Sequence, residues 1–166
     1  MKKKIFTFVL LFLAASSVNA LSLSFQVLQS GQKNSDVQES SYLIEDGLFD
    51  YFFGQGIIAS NSPAAVFESK EILNSFYRKS LAEARAGGSD YFVLIEIFYD
   101  LDAGSNPQAA LSSNLEKISW KITKCNSDEI IAQNEFNPSK NLLRDEKGIY
   151  SLSQEIAGEI FNELLK

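Results

Sequence analysis

Leu81-Ala82-Glu83-Ala84-Arg85-Ala86-Gly87-Gly88-Ser89-Asp90-Tyr91-Phe92-Val93-Leu94-Ile95-Glu96-Ile97-Phe98-Tyr99 decides the fold. Its first part closes an Ala-rich amphipathic helix that runs from about Ser69 to Ala86, with Ile72, Phe76 and Leu81-Ala82 among its apolar positions. Gly87-Gly88 stops that helix, since glycine tolerates the left-handed turn a helix end needs. From Tyr91 to Leu101 apolar residues then fall on both faces of a strand: Phe92, Leu94 and Phe98 on one, Val93, Ile95 and Ile97 on the other. A strand apolar on both sides is expected to be a central strand, covered above and below.

Working outward, Leu21 to Gln29 alternates Leu21, Leu23, Phe25 and Val27 with Ser22, Ser24 and Gln26, the pattern of a half-buried strand. Ser35-Asp36-Val37-Gln38 reads as a capping box opening a helix that reaches about Phe53, with Gly54 placed to close it. Gly56 to Ser60 predicts a short strand ended by Asn61-Ser62-Pro63. Beyond the central strand, Ala103 to Asn114 is a polar loop. Ile118, Trp120 and Ile122 alternate with Lys117, Ser119, Lys121 and Thr123, a strand with one wet face. Cys125 to Asp128 forms a tight turn, and Glu129 to Phe136 returns as the hairpin partner. Asn137 to Gly148 is a polar loop, and Ser151-Leu152-Ser153-Gln154 opens a last helix whose Ile156, Ile160 and Leu164 recur at helical spacing. The order is β-α-β-α-β-β-β-α. One α+β domain follows, with a mixed sheet of about five strands and three helices.

The chain begins with Met1-Lys2-Lys3-Lys4, an apolar run from Ile5 to Ala15, and then Ser16-Ser17-Val18-Asn19-Ala20. A basic start, a short apolar core and small residues at positions 18 and 20 make a secretory signal, cleaved after Ala20 and too short for a spanning helix. Residues 1–20 are thus expected to be a leader and 21–166 the mature domain. The mature chain is expected in the periplasm or outside the cell, with no stable membrane anchor. Removing the leader's three lysines leaves 12 basic against 21 acidic residues, a net charge of −9. A field of that sign repels phosphate backbones, so nucleic acid is not an expected partner.

Enzymatic chemistry finds few residues to stand on. The chain has no His, which removes the usual general base and any Ser-His-Asp or Cys-His arrangement. Its single cysteine, Cys125, allows no internal disulfide and no thiolate metal cluster. It is read as an unpaired bystander, with intermolecular pairing the alternative. Gly54-Gln55-Gly56-Ile57-Ile58-Ala59 has the letters of a dinucleotide loop but follows a helix and opens a strand, the reverse of what phosphate binding requires. Asp100 and Asp102 flank Leu101 without a calcium-loop pattern around them. Glu96, on an otherwise apolar face, is a rim residue or one paired with a Lys; as a buried acid it would have a raised pKa. The expectation is therefore no catalytic residues, no cofactor and no metal.

The joint from Leu81 to Leu94, and the earlier stretch Ile44-Glu45-Asp46-Gly47-Leu48-Phe49-Asp50-Tyr51-Phe52-Phe53, resemble those of a group of bacterial envelope domains. The group includes the curli-secretion channel subunit, the outer-membrane activator of penicillin-binding proteins, and the amino-terminal domain of the translocation protein TolB. The resemblance implies a non-enzymatic envelope domain that binds another protein. Many members of the group carry a lipid-anchor cysteine that this sequence lacks, and Gly88 stands where Ala is commoner. Anchoring and pore formation are accordingly not carried over.

The first helix bears the features closest to function. Val37, Ile44, Leu48, Tyr51 and Phe52 make one apolar stripe, suited to the sheet. Tyr42, Phe49 and Phe53 make a second, about 120° around the helix at 100° per residue. Either the last helix covers it, with Phe161 and Leu165 as contacts, or it is an exposed aromatic patch for a partner or a second copy. The function expected is an exported adaptor acting through protein contacts, with Tyr42, Phe49 and Phe53 as partner surface. The alternatives are an envelope hydrolase using Glu96 or Asp100, and a binder of small ligands.

Overall fold

A computed structural model describes residues 20–31, 35–99, 115–137 and 146–166. The elements are β1 (Ser22–Ser30), α1 (Glu39–Gly54), β2 (Ile58–Phe67), α2 (Lys70–Ala86), β3 (Tyr91–Tyr99), β4 (Leu115–Lys124), β5 (Ile130–Phe136) and α3 (Glu146–Leu164). The order and the mixed five-stranded sheet are those expected from the sequence. Strands lie side by side as β2-β1-β3-β4-β5, with β1 parallel to both neighbours and β3-β4-β5 antiparallel. Residues 1–19, which hold most of the expected leader, residues 32–34, Asp100, Leu101, Asp102 and the rest of 100–114, and residues 138–145 lie outside the described residues.

Two apolar layers hold the sheet between helices. On one face Leu23, Phe25 and Val27 of β1 and Val93, Ile95 and Ile97 of β3 meet Ile44, Leu48 and Phe52 of α1 and Ile149, Ile156 and Ile160 of α3. On the other, Leu28, Phe92 and Leu94 meet Leu81 and Ala84 of α2. β3 is the middle strand, as its two apolar faces predicted. Its Phe92-to-Ile95 run is fully buried, and each such side chain removed from water is worth about 1.5–3 kcal/mol.

Five expectations are corrected. β1 is buried on both faces, because α2 covers the face that carries Ser24 and Gln26. Gln26 is satisfied there: its Nε2 donates to the Pro63 carbonyl at 2.9 Å and its Oε1 accepts from Ser80 Oγ at 2.8 Å. β2 does not stop at Asn61 but runs through Pro63 to Phe67. It is an edge strand, so a residue without an N–H costs the ladder nothing on its open side.

α1 starts at Glu39, and its N-cap Gln38 makes no side-chain cap. The Gln38 N–H instead donates to Gln29 Oε1 at 2.8 Å, so β1 supplies the acceptor that Ser35 was expected to give. Its end is closed by Gly56 (φ +76°) rather than Gly54: Gly56 N–H donates to the Phe53 carbonyl and Ile57 N–H to that of Phe52. Finally, α3 begins at Glu146, so Ser151 lies inside the helix rather than at its start.

α2 behaves as read. Ser69 Oγ accepts from Ile72 N–H at 3.4 Å at its start. At its end Gly88 sits at φ +79° while the Gly88 and Ser89 N–H groups donate to the Arg85 and Ala84 carbonyls. Asp90 of the joint then ties β1 to β3, its Oδ2 accepting from Ser22 N at 2.9 Å and from Ser22 Oγ at 2.6 Å.

Candidate interaction surface on the first helix

α1 lies across the sheet with three of its sides occupied. Its inner side carries Ser40, Ser41, Ile44, Leu48 and Phe52, all buried. The two serines reach the Tyr99 hydroxyl at 2.6 and 2.9 Å, and Ser41 Oγ also donates to Gln29 Oε1 at 2.8 Å. This polar knot pins the start of the helix to the ends of β1 and β3. A hydroxyl removed from water is tolerated only when so paired.

One flank belongs to α3. Gly47 faces Ser153 so closely that a Cβ on residue 47 would come within 1.7 Å of Ser153 Oγ. Gln154 Nε2 donates to the Gly47 carbonyl at 2.5 Å, and Tyr51 meets Phe161 edge-on with ring centroids 6.2 Å apart. Tyr150 Oη donates to Asp50 Oδ2 at 3.1 Å. The opposite flank meets β2, where Asn61 Nδ2 donates to Glu45 Oε1 at 2.9 Å. Burial raises the Glu45 carboxyl above its ordinary pKa, opposed by that hydrogen bond.

The fourth side points outward and carries the second aromatic stripe. Tyr42 is 47% exposed, Phe49 37% and Phe53 72%. Phe49 and Phe53 stack on each other, ring planes 8° apart and centroids at 6.5 Å. The last helix does not cover them: Phe161 goes to Tyr51 instead, and Leu165 is itself 65% exposed. α3 packs on the Gly47 side of the helix because Gly47 and Ser153 allow close approach there, and the stripe lies around the helix from that line. Val37, expected on the buried stripe, lies before the helix and is half-buried.

The residues weighed for catalysis are placed differently. Glu96 is half-buried on the α2 side of the sheet, beyond the edge of that helix. It borders a groove of about 500 Å³ with Ser119, Lys121, Gln133 and Glu135. Burial raises its pKa, opposed by the Lys121 charge, a hydrogen bond from Ser119 Oγ at 3.5 Å and the Lys117 charge. The charges around it are largely engaged. Lys117 pairs with Glu135 at 3.2 Å and lies over the Phe98 ring, and Lys121 lies 4.0 Å over the ring of Tyr77. Among the described residues no group of three acids or cysteines is gathered for a metal ion. Thr123, expected on the wet face of β4, is buried beneath Tyr77, whose hydroxyl lies 3.0 Å from its Oγ1. Cys125 is also buried, packed with Leu28, Phe92 and Leu94, and burial pushes its thiol pKa up. In the folded domain that position keeps the thiol from ready access by another chain's cysteine.

Sequence reasoning did not find the Gly47–Ser153 contact or the Tyr99 knot. Both join residues over 50 positions apart, and a lone Gly or a Ser pair within a helix gives no local signal.

A family model described as "Uncharacterised protein" matches residues 22–165. No curated protein matches the sequence. Solved structures similar to this one include a PelC dodecamer from Paraburkholderia phytofirmans, with 10% identity and a TM-score of 0.47, covering 87% of this chain and 89% of that one. TolB from Acinetobacter baumannii is 12% identical with a TM-score of 0.45, and covers 88% of this chain but only 28% of its own. The LpoB C-terminal domain from Salmonella enterica is 13% identical with a TM-score of 0.40, covering 79% and 92%. TolB and the penicillin-binding-protein activator LpoB are among the proteins that the helix-to-strand joint resembles. At these identities none of them lends this chain a function. No helix of the described residues is long and apolar enough to cross a membrane.

Proposed function

We propose that this chain, which belongs to the family whose model spans residues 22–165, is an exported adaptor that binds another protein of the bacterial envelope. In this reading residues 1–20 are removed at Ala20, and the mature domain works through the outward face of α1. The observation that carries it is the exposed stripe of Tyr42, Phe49 and Phe53, which no described element covers. α1 already has a sheet, a helix and an edge strand against it, so the stripe is not needed for packing. Exposed aromatic side chains grouped on one rigid element are the usual makings of a protein contact.

The test is a photo-crosslinking residue placed in turn at 42, 49 and 53, with the tagged protein expressed in the source bacterium. An envelope protein trapped from these positions, and not from Lys79 on the exposed face of α2, supports the adaptor. N-terminal sequencing of the purified protein checks the leader: Leu21 as first residue is expected.

The groove beside Glu96 supports a second reading, a binder of small polar ligands, with hydrolysis by Glu96 as its enzymatic form. A screen of murein fragments and peptides for melting shifts, repeated with Glu96→Gln, separates it from the adaptor.

A further inference from the structure

The stripe on α1 is bordered by carboxylates on both sides. Counting about 100° per residue, Phe49, Tyr42 and Phe53 lie within an arc of roughly 40°. Glu45 stands at the border next to β2, and Asp46, Glu39 and Asp50 stand at the other. Glu39, Asp46 and Asp50 are exposed and Glu45 is half-buried. α1 contains no basic residue, and the neighbouring β2 contains no charge at all. The ion pairs among the described residues all lie elsewhere, on α2, the β4–β5 hairpin and the chain end. Among the described residues, the four carboxylates around these three aromatic rings therefore have no ion-pair partner.

From this we infer that the occupant of the stripe is a basic amphipathic helix of a different protein, with apolar anchors on the rings and Lys or Arg side chains over the flanking acids. The inference rests on the adaptor reading and adds the chemistry of the partner. The stripe from residue 42 to residue 53 is about 16 Å long at 1.5 Å per residue, the reach of three helical turns. Apolar anchors on a helix recur at that spacing, and cationic residues beside them would each find a carboxylate.

A second copy does not fit. Face-to-face pairing of α1 with α1 would set like charges against each other. The exposed basic residues of α2, Lys70, Arg78 and Lys79, have no large exposed apolar side chain on that helix to seat on the rings, and Lys79 is already paired with Glu83. An anionic membrane surface is repelled by the same acids.

The test uses the mature chain and two synthetic helical peptides of about five turns. Both carry Leu along one face; one has Lys at its remaining positions and the other Glu. Binding is followed by fluorescence anisotropy. The Lys peptide is expected to bind at least about tenfold tighter than the Glu peptide, and to weaken as salt is raised. The variant Glu39→Lys/Asp46→Lys is expected to reverse that preference, and Phe49→Ala/Phe53→Ala to abolish binding of both.

Equal affinity for the two peptides, no binding of either, or a Lys-peptide affinity unchanged by Glu39→Lys/Asp46→Lys overturns the inference. Self-association in sedimentation that excludes the peptides overturns it in favour of a second copy. The two claims fail separately: a Glu-peptide preference lost in Phe49→Ala/Phe53→Ala removes the cationic partner but keeps the surface. Peptide binding indifferent to Phe49→Ala/Phe53→Ala counts against the surface itself.

Discussion

Substituting Gly47 by Ala tests how closely α1 and α3 are joined. A Cβ built on residue 47 lies 1.7 Å from Ser153 Oγ, 2.8 Å from Ser153 Cβ and 3.4 Å from Tyr150 Cδ2. Rotating Ser153 would relieve the first contact, at the loss of its 2.7 Å hydrogen bond to the Tyr150 carbonyl. The Cβ–Cβ contact survives any rotation, and carbon atoms prefer about 3.5–4.0 Å. The helices must then move apart by most of an ångström, stretching the Gln154–Gly47 hydrogen bond and the Tyr51–Phe161 contact.

Overpacking of this kind costs about 1–3 kcal/mol. The lost hydrogen bond adds about 1 kcal/mol, and the helix preference of Ala over Gly returns about 1 kcal/mol. The net expectation is a loss of about 1–3 kcal/mol, or roughly 3–9 °C in melting temperature for a chain of this length. Ser153→Gly should cost about 1–2 kcal/mol by itself, from helix propensity and the lost hydrogen bond. Combined with Gly47→Ala it removes both clashing atoms, so the double variant should lie within about 1 kcal/mol of the parent. Urea unfolding of the four proteins measures the cycle. A neutral or stabilising Gly47→Ala, or a double variant equal to the sum of the singles, would refute the close crossing.

Four further outcomes follow from the same contacts. Phe49→Glu loses only the exposed ring stack on Phe53, worth about 0.5–1.5 kcal/mol, and should lower the melting temperature by no more than about 5 °C; a collapsed transition would mean that the stripe belongs to the core. Tyr99→Phe leaves Ser40 and Ser41 without their shared hydroxyl and should cost about 1–3 kcal/mol in urea unfolding. Glu96 has a pKa raised above 4.5 in the folded state, so the native protein holds that proton to higher pH than the unfolded chain does. Stability from this group is therefore full below about pH 4.5 and falls as pH rises through the folded value; Glu96→Gln should stabilise at neutral pH, with the advantage gone below pH 4.5. Cys125 should react with an aromatic disulfide reagent only as fast as the protein opens, so labelling at the rate of a free thiol would contradict its burial.

Much of the fold was legible because its signals are local. Two-faced apolarity placed β3 at the centre, Gly87-Gly88 ended α2, and the alternation of Ile118, Trp120 and Ile122 gave β4 its buried face. Expectations missed where a distant partner overrode the local pattern. β1 reads as half-buried because Ser24 and Gln26 are polar, yet Ser80 and Pro63 satisfy Gln26 beneath α2. Ser35 reads as a cap, but Gln29 of β1 takes the role by accepting from Gln38. Pro63 reads as a strand stop, and only its place at a sheet edge shows otherwise.

The second stripe on α1 could be seen in the sequence, but what covers it could not, since Phe161 and Leu165 have the right spacing to do so. The Gly47–Ser153 crossing decides that question by drawing α3 to the other flank.

The most direct measurement is photo-crosslinking from position 49 in the source bacterium, with Lys79 as the control position. The adaptor account predicts one reproducible envelope protein trapped from Phe49, absent from Lys79, and lost when Phe53 is changed to Glu. Crosslinks of equal yield from both positions, or none from Phe49 with the protein folded and abundant, would contradict it.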